Sequence, residues 1–515
     1  MDRKKEPRGA PLGAQVDESR DQDRDTEPKQ EQPDAEELDE ARRSGFGEDS
    51  PSGRPDLQAP TFISRFGSPA LAAIEEPEQP EDDGILPRAP RTLSDLGLSK
   101  AFLADLTLKI LHYSGTPTAS QLTRRLGLSI PIMQQLVSAL TEERLIEVLS
   151  QSDLYTGNYR YRLSEKGHQR ASEALERSRY AGPAPVTAEQ YSEGVRKLHA
   201  HEQDPGRGRI KAVVNELVLH SEVADALARA LFSGKVAILY GPSGNGKTVV
   251  LEQYAKNTAG FFLVPYAIYA YGQVIRVFDQ SVHEPIDDPE AGTEKEDTKM
   301  DRRWVRVRRP AIVVGAEMSH ESLDMAHDPQ AGFYQAPPHI KAQGGVLVVD
   351  DFGRQKIAPR DLLTRWLIPL ERGWDTLSLV TGEKLTVPFQ IQLLLGTNLP
   401  IKKLADDALL RRVLYKVQMP NPGPEEFKEI LRRTCLEKRV FVADDVLDHV
   451  TERLYDHPDL RPRGSYARDI LNMLIESASY DAQDPVLDRP SFDRVFRLFV
   501  SQETENGDHQ DGDPA

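Results

Sequence analysis

VAILYGPSGNGKTVVLEQYAK, residues 236–256, decides the fold. Val236–Tyr240 reads as a short buried strand, and Val249 to Lys256 continues as a helix. Between them Gly241, Pro242, Ser243, Gly244, Asn245, Gly246, Lys247 and Thr248 fit the spacing G-x-x-x-x-G-K-[ST]. In this strand–loop–helix setting the spacing predicts a phosphate-binding loop. Glycines let backbone N–H groups curl around phosphates, and the helix N-terminus adds positive partial charge. Lys247 is expected on the β and γ phosphates of ATP, and Thr248 on Mg2+. A chance glycine-rich match would lack the flanking strand and helix.

GGVLVVDDFGRQ, residues 344–355, contains the DFG that holds magnesium in protein kinases. The chain has neither the H-R-D loop nor the strand lysine that kinase chemistry requires. Val346–Val349 reads instead as a central strand of a parallel sheet ending in two acids. This is a Walker B pattern: Asp350 is expected to hold Mg2+ through water, and Asp351 to orient the attacking water.

A third apolar run, Ile391–Leu395, ends in Gly396–Thr397–Asn398. Asn398, with Thr397 as alternative, is the candidate to position that water. LADDALLRRVLYKVQM then places two arginines between an apolar helix and a final strand. Arg412, with Arg411 as alternative, is the candidate arginine finger toward a neighbouring subunit. Taken alone, the pair also reads as a basic helix end favoured by the macrodipole. The segment 421–500 has helical periodicity and reads as a lid. Within it Arg468, in ARDIL, is the candidate to fold back on the nucleotide, with Arg463 as alternative.

The first 90 residues carry 23 Asp and Glu against 12 Lys and Arg, most of the chain's net −17. Such a segment cannot bury enough apolar area to offset its lost entropy, so residues 1–92 read as a disordered acidic tail. Residues 501–515 read as a second one. Residues 93–180 show helix, helix, tight turn at Gly127, helix, two-stranded ribbon and helix, the pattern of a winged-helix domain. The helix after the turn, SIPIMQQLVSALTEER, offers Ser129, Gln134, Gln135 and Ser138 early on, with no Lys or Arg there. Residues 91–180 hold 12 basic and 9 acidic residues. DNA reading wants cations for phosphates and base edges, so a protein-interaction or structural role is favoured over DNA binding.

Residues 181–209 read as a linker and 210–420 as the α/β core. An insert, 266–343, is far longer than a strand crossover needs. RRWVRVRRPAIVVGA within it alternates like a strand with one cationic face, to be solvated or to meet an acidic partner, and HEPIDDPEAGTEKEDTK reads as a flexible loop. The histidines at 283, 320 and 327 lack metal-site spacing. One cysteine, Cys435, excludes disulfide frameworks and fits a reducing cytosol. The chain shows no signal-peptide pattern and no apolar run long enough to span a bilayer. A cytoplasmic protein is expected.

Phosphate loop, Walker B, strand-end Asn, paired Arg and a lid with a further Arg resemble, in that order, the AAA+ ATPase pattern over residues 210–500. GPAPV, DRRWVRVRRPAIVVGAEM, DDFGRQ, LLTRWLIPLERG and ALLRRVLYKV resemble a poorly characterised bacterial group of AAA+ ATPases with an N-terminal winged helix, and that likeness covers residues 93–500. It implies a parallel-sheet P-loop core with a helical lid, ATP hydrolysis with Mg2+, and a homo-oligomeric ring, but no particular substrate. The expected function is remodelling of a protein partner recruited by the winged helix and insert. The alternatives are an ATP-dependent DNA-binding regulator and an ATP-gated scaffold with negligible turnover. One departure matters: the second Walker B acid is usually Glu, and Asp351 is one methylene shorter.

Overall fold

The computed structural model describes residues 86–149, 159–200, 206–286 and 300–507. The expected tail through residue 85, the ribbon tip at 150–158, the break at 201–205, the acidic loop at 287–299 and residues 508–515 lie outside the described residues.

The described residues begin with helices that are punctuated locally. Ser99 caps α1 (Lys100–Ser114) by accepting from the Phe102 amide at 3.2 Å. Thr118 and Gln121 form a reciprocal capping box at the start of α2 (Ala119–Leu126). After the turn at Gly127 comes α3 (Ile130–Glu142), then an antiparallel ribbon of β1 (Ile146–Leu149) and β2 (Arg160–Leu163), then α4 (Glu165–Arg177). Arg170 and Arg177 of α4 both bind Asp105 of α1, at 2.9 and 2.7 Å. Leu103, Leu106, Leu126, Ile132, Leu136 and Leu163 fill the core between these elements.

The next elements are β3 (Val186–Thr187), α5 (Ala188–Ala200), α6 (Arg207–Glu216), α7 (Ser221–Phe232), β4 (Ala237–Tyr240) and α8 (Lys247–Lys256). Then come β5 (Phe261–Pro265), β6 (Ala267–Ala270), β7 (Gln273–Arg276), β8 (Trp304–Arg308), β9 (Ala311–Val314), β10 (Ala326–Asp328) and β11 (Phe333–Gln335). The short α9 (Pro338–Lys341) leads to β12 (Val346–Val349), α10 (Pro359–Arg372), the hairpin β13 (Trp374–Ser378) and β14 (Lys384–Pro388), and β15 (Gln392–Thr397). Two one-turn helices, α11 (Ile401–Leu404) and α12 (Asp407–Leu410), precede β16 (Tyr415–Gln418). The chain ends in α13 (Pro424–Lys438), α14 (Asp444–Tyr455), α15 (Ser465–Tyr480) and α16 (Arg489–Gly507), packed around Phe427, Leu431, Leu454, Ile470 and Phe496.

The central sheet is parallel throughout, in the order β16-β4-β15-β12-β9. β12 and β15 are buried along their whole length, which suits the all-apolar VLVV of β12 and the three leucines at the centre of β15. Leu239, Val250, Val348 and Leu394 pack one face against α6, α7 and α8, while Leu347, Leu363, Trp366 and Leu395 pack the other against α10. This is an α/β fold with a phosphate-loop sequence leaving β4. Strand order reverses beside β4, and that end of an open α/β sheet is where such folds bind ligands.

Several boundaries differ from the sequence reading. Ala311–Val314, expected inside the insert, is the edge strand of the central sheet, pairing Ala311 with Val346. The expected linker is structured: β3 pairs with β6 in a second sheet of order β10-β11-β7-β6-β3, and α5 stacks Tyr191 on Trp304 with ring centroids 6.3 Å apart. Residues 86–92, expected in the tail, include a segment seated on the insert, where the Asp301 amide donates to the Pro87 carbonyl at 2.8 Å. At the other end α16 runs on to Gly507, and Glu503 accepts from the Tyr466 hydroxyl at 2.7 Å.

The cationic strand face is also not a free face. Arg303 is 2 % exposed and closes on Asp301, its neighbour two residues back, at 2.7 Å. Arg306 stacks on the Phe261 ring at 4.5 Å, and Arg308 lies 3.4 Å from Glu284. Alternation placed these arginines on a strand correctly, but it carries no information about the acid or ring that each one meets.

Candidate functional site

The loop after β4 is shaped by what presses on it. Gly241 has φ 141°, and a Cβ there would stand 2.2 Å from the Met419 carbonyl oxygen. Gly244 has φ 83°, with Ser465 Oγ 2.5 Å from where its Cβ would be. A side chain at the first would collide with backbone, and one at the second would be strained and would push Ser465 aside. Gly246, also left-handed, opens α8 and leaves that helix's first amides facing the loop.

Lys247 is 6 % exposed and donates from Nζ to the carbonyls of Gly241 and Pro242 at 2.9 and 2.7 Å. Burial lowers its pKa from the ordinary lysine value, against the opposing pull of Asp351 and Asp350. Thr248 Oγ1 lies 3.1 and 3.0 Å from the two Asp350 carboxylate oxygens. Asp350 sits at the end of β12, its amide bound to the Val314 carbonyl at 2.9 Å. Next to it, the Asp351 carboxylate accepts from Asn398 Nδ2 at 2.9 Å. Lys247, Thr248, Asp350, Asp351 and Asn398 therefore meet at the C-terminal ends of β4, β12 and β15. Thr397, the alternative to Asn398, is fully buried and donates to the Phe352 carbonyl at 2.6 Å, so it braces the turn instead.

The donor set fits the expected ligands. A hydroxyl beside a carboxylate suits Mg2+, which takes few protein ligands and keeps waters. A buried ammonium at a glycine-rich helix start suits phosphate. Among the described residues there is no group of three or more His, Cys, Asp or Glu that could hold a metal ion.

Two expected residues stand apart. Arg412 precedes β16, and β16 runs parallel to β4 with Tyr415 opposite Ala237 and Gln418 opposite Tyr240. Arg412 thus lies at the N-terminal end of these neighbouring strands and Lys247 beyond their C-terminal end, a strand length of about 13 Å along the strand direction at ~3.3 Å per residue. It binds Glu371 at 3.3 Å and borders an open cavity of about 650 Å³ with Lys235, Arg309 and Gln390. Arg468 is exposed, 3.5 Å from Asp469. It is the segment just before α15 that touches the loop: Arg463 Cβ lies 3.7 Å from the position of a Gly244 Cβ.

The sequence reading missed this loop–lid junction. Ser465 donates its amide to the Gly244 carbonyl at 2.8 Å, and Gly464 donates to Asn245 Oδ1 at 3.1 Å. Asn245 Nδ2 in turn donates to Asn421 Oδ1 at 2.8 Å. A phosphate loop uses its backbone, so its variable position carries no local signal of what the side chain does.

A family described as a domain of unknown function, DUF8689, matches residues 423–498, the span from the start of α13 into α16. No curated protein matches. Among solved structures, a point mutant of Thermotoga maritima RuvB is 13 % identical, covers 55 % of this chain and 72 % of its own, and has a TM-score of 0.33. The T. maritima RuvB Holliday junction branch migration motor is 13 % identical over 55 % of this chain and 68 % of its own, with a TM-score of 0.31. Domain III of the T. maritima replication initiation protein DnaA is 13 % identical over 56 % of this chain and 96 % of its own, also at 0.31. Overlaps of that extent do not establish a shared function.

Proposed function

We propose that this chain is an AAA+ ATPase that binds Mg-ATP, hydrolyses it in a homo-oligomer, and uses the cycle to remodel a protein partner. The observation that carries the reading is the convergence of Lys247, Thr248 and Asp350 with the Asp351–Asn398 pair at the switch point of a parallel sheet. In this reading Gly241 to Thr248 wrap the phosphates and Lys247 neutralises them. Thr248 and Asp350 hold Mg2+, which offsets charge on the phosphate oxygens. Asp351 and Asn398 orient the attacking water. Arg463 is the lid arginine nearer the loop, and Arg468 the alternative one turn on.

In this reading Arg412 acts on a neighbouring subunit. It sits a strand length from its own chain's Lys247, so a finger role requires a neighbour's site. The first four helices and their ribbon form, in this reading, a winged-helix module. The exposed face of α3 presents Ile130, Gln134, Gln135 and Ser138, and the helix contains no cation, which favours a protein partner over DNA.

Phosphate release from the full chain with Mg-ATP, across a protein concentration series, tests the proposal. Specific activity that rises with concentration and vanishes in Lys247→Ala supports a shared-site ATPase. Tight ATP binding without phosphate release would leave ATP as an assembly signal only.

A further inference from the structure

Gln355 makes no contact expected of a nucleotide site, yet its side chain spans the turn that carries Asp351. Nε2 donates to the Asp350 carbonyl at 2.8 Å and to the Asp351 carbonyl at 3.2 Å, while Oε1 accepts from the Gly353 amide at 2.8 Å. The turn is closed from the other side by β15. The Phe352 amide donates to the Gly396 carbonyl at 2.6 Å, and Thr397 Oγ1 donates to the Phe352 carbonyl at 2.6 Å. Inside this frame Asp351 has φ 47°, a left-handed conformation that Asp adopts more readily than most residues with a Cβ.

We propose that Gln355 is a positioning residue, clamping the turn from Asp350 to Gly353 so that the short Asp351 carboxylate is presented to Asn398 and to the attacking water. The proposal rests on the ATPase reading above. A carboxylate one methylene shorter than the usual Glu cannot make up the distance with its own side chain. The backbone can make it up, by turning left-handed at Asp351, and the three Gln355 hydrogen bonds hold it there. The same geometry makes the usual residue a poor substitute: in a turn set for Asp, Glu at 351 overreaches Asn398.

The test compares the full-length wild type with Gln355→Ala, Gln355→Glu and Asp351→Glu. Three quantities are measured: phosphate release from Mg-ATP, affinity for a fluorescent ADP analogue, and melting temperature without nucleotide. Gln355→Glu keeps the acceptor for Gly353 but loses both N–H donors. It is nearly isosteric, so it carries the test if Gln355→Ala folds poorly. Both Gln355 variants should lose about 10- to 100-fold in kcat, the range of a misplaced water-orienting group, with KM and nucleotide affinity within about two-fold of wild type. Asp351→Glu should also be slower than wild type. A merely structural role would instead lower melting temperature, nucleotide affinity and kcat together, and that result overturns the proposal. So does wild-type kcat in Gln355→Glu, or faster turnover in Asp351→Glu, each leaving the ATPase reading intact. A wild type that binds nucleotide without turnover overturns the ATPase reading and the clamp with it.

Discussion

Asn398 Nδ2 donates to Asp351 Oδ1 at 2.9 Å, joining the polar end of β15 to the second acid after β12 as one unit. Thr397 beside it is fully buried in the turn, whereas Asn398 is half-buried. Asn398→Ala should lower kcat by roughly 10²-fold, the scale of a lost positioning or charge-stabilising donor, with nucleotide affinity nearly unchanged. Steady-state phosphate release beside nucleotide titration checks the split.

Lys247 is the buried cation of the loop, with Asp350 and Asp351 beside it. Lys247→Ala should abolish the rise in melting temperature that Mg-ATP gives the wild type. Ligand at about 100 times its Kd contributes ~2.7 kcal/mol to stability, so the lost shift is readily measured by thermal denaturation.

Arg412 and Lys247 lie at opposite ends of two neighbouring strands, which gives a complementation experiment. Arg412→Ala should lose on the order of 10³-fold in turnover by itself. Mixed with Lys247→Ala it should regain part of the activity, because each variant supplies what the other lacks. Mixtures no more active than the separate variants would show that Arg412 serves no neighbouring site.

Asp301 and Arg303 form an ion pair of which each side chain is 3 % exposed. Removing one partner leaves a buried charge uncompensated, so Asp301→Ala should destabilise the folded chain by about 3–5 kcal/mol. Denaturant unfolding followed by tryptophan fluorescence is apt, since Trp304 is adjacent in sequence.

His339 is fully buried, and burial lowers its pKa below 6.5 despite the hydrogen bond to Asp375 that pulls it upward. The folded state therefore binds its proton less readily than the unfolded state. The resulting stability is present above about pH 6.5 and is lost as pH falls below it. Melting temperature should drop between pH 7 and pH 5.5, and His339→Gln, which keeps a donor toward Asp375, should flatten that slope.

The candidate site's placement was legible in the sequence where the elements are local. The loop between β4 and α8 is one contiguous segment, and β12 ends in its acids without interruption. Pairing across long separations stayed hidden. AIVV looks the same in an insert as in the central sheet, and only the alignment of Ala311 with Val346 assigns it to the sheet. Arg303 looks like any strand arginine until Asp301 is seen folded back against it. Gln355 was invisible because a glutamine four residues beyond an acid has no spacing signature; its role exists only in the turn that it bridges.

The packing around the first four helices has a mechanical meaning. Ala267 and Val274 of the insert belong to the same apolar core as Leu103 and Leu126, and the Phe102 and Tyr269 rings meet at 4.5 Å. Ala184 donates its amide to the Leu126 carbonyl at 2.8 Å, and the Gly127 turn abuts the backbone of Arg302. Anything that grips these helices therefore pulls on β6 and β7 through packed side chains, not through a slack tether. From there β5 and β8, paired antiparallel from Phe261–Arg308 to Pro265–Trp304, follow α8 and precede the edge strand β9 in sequence.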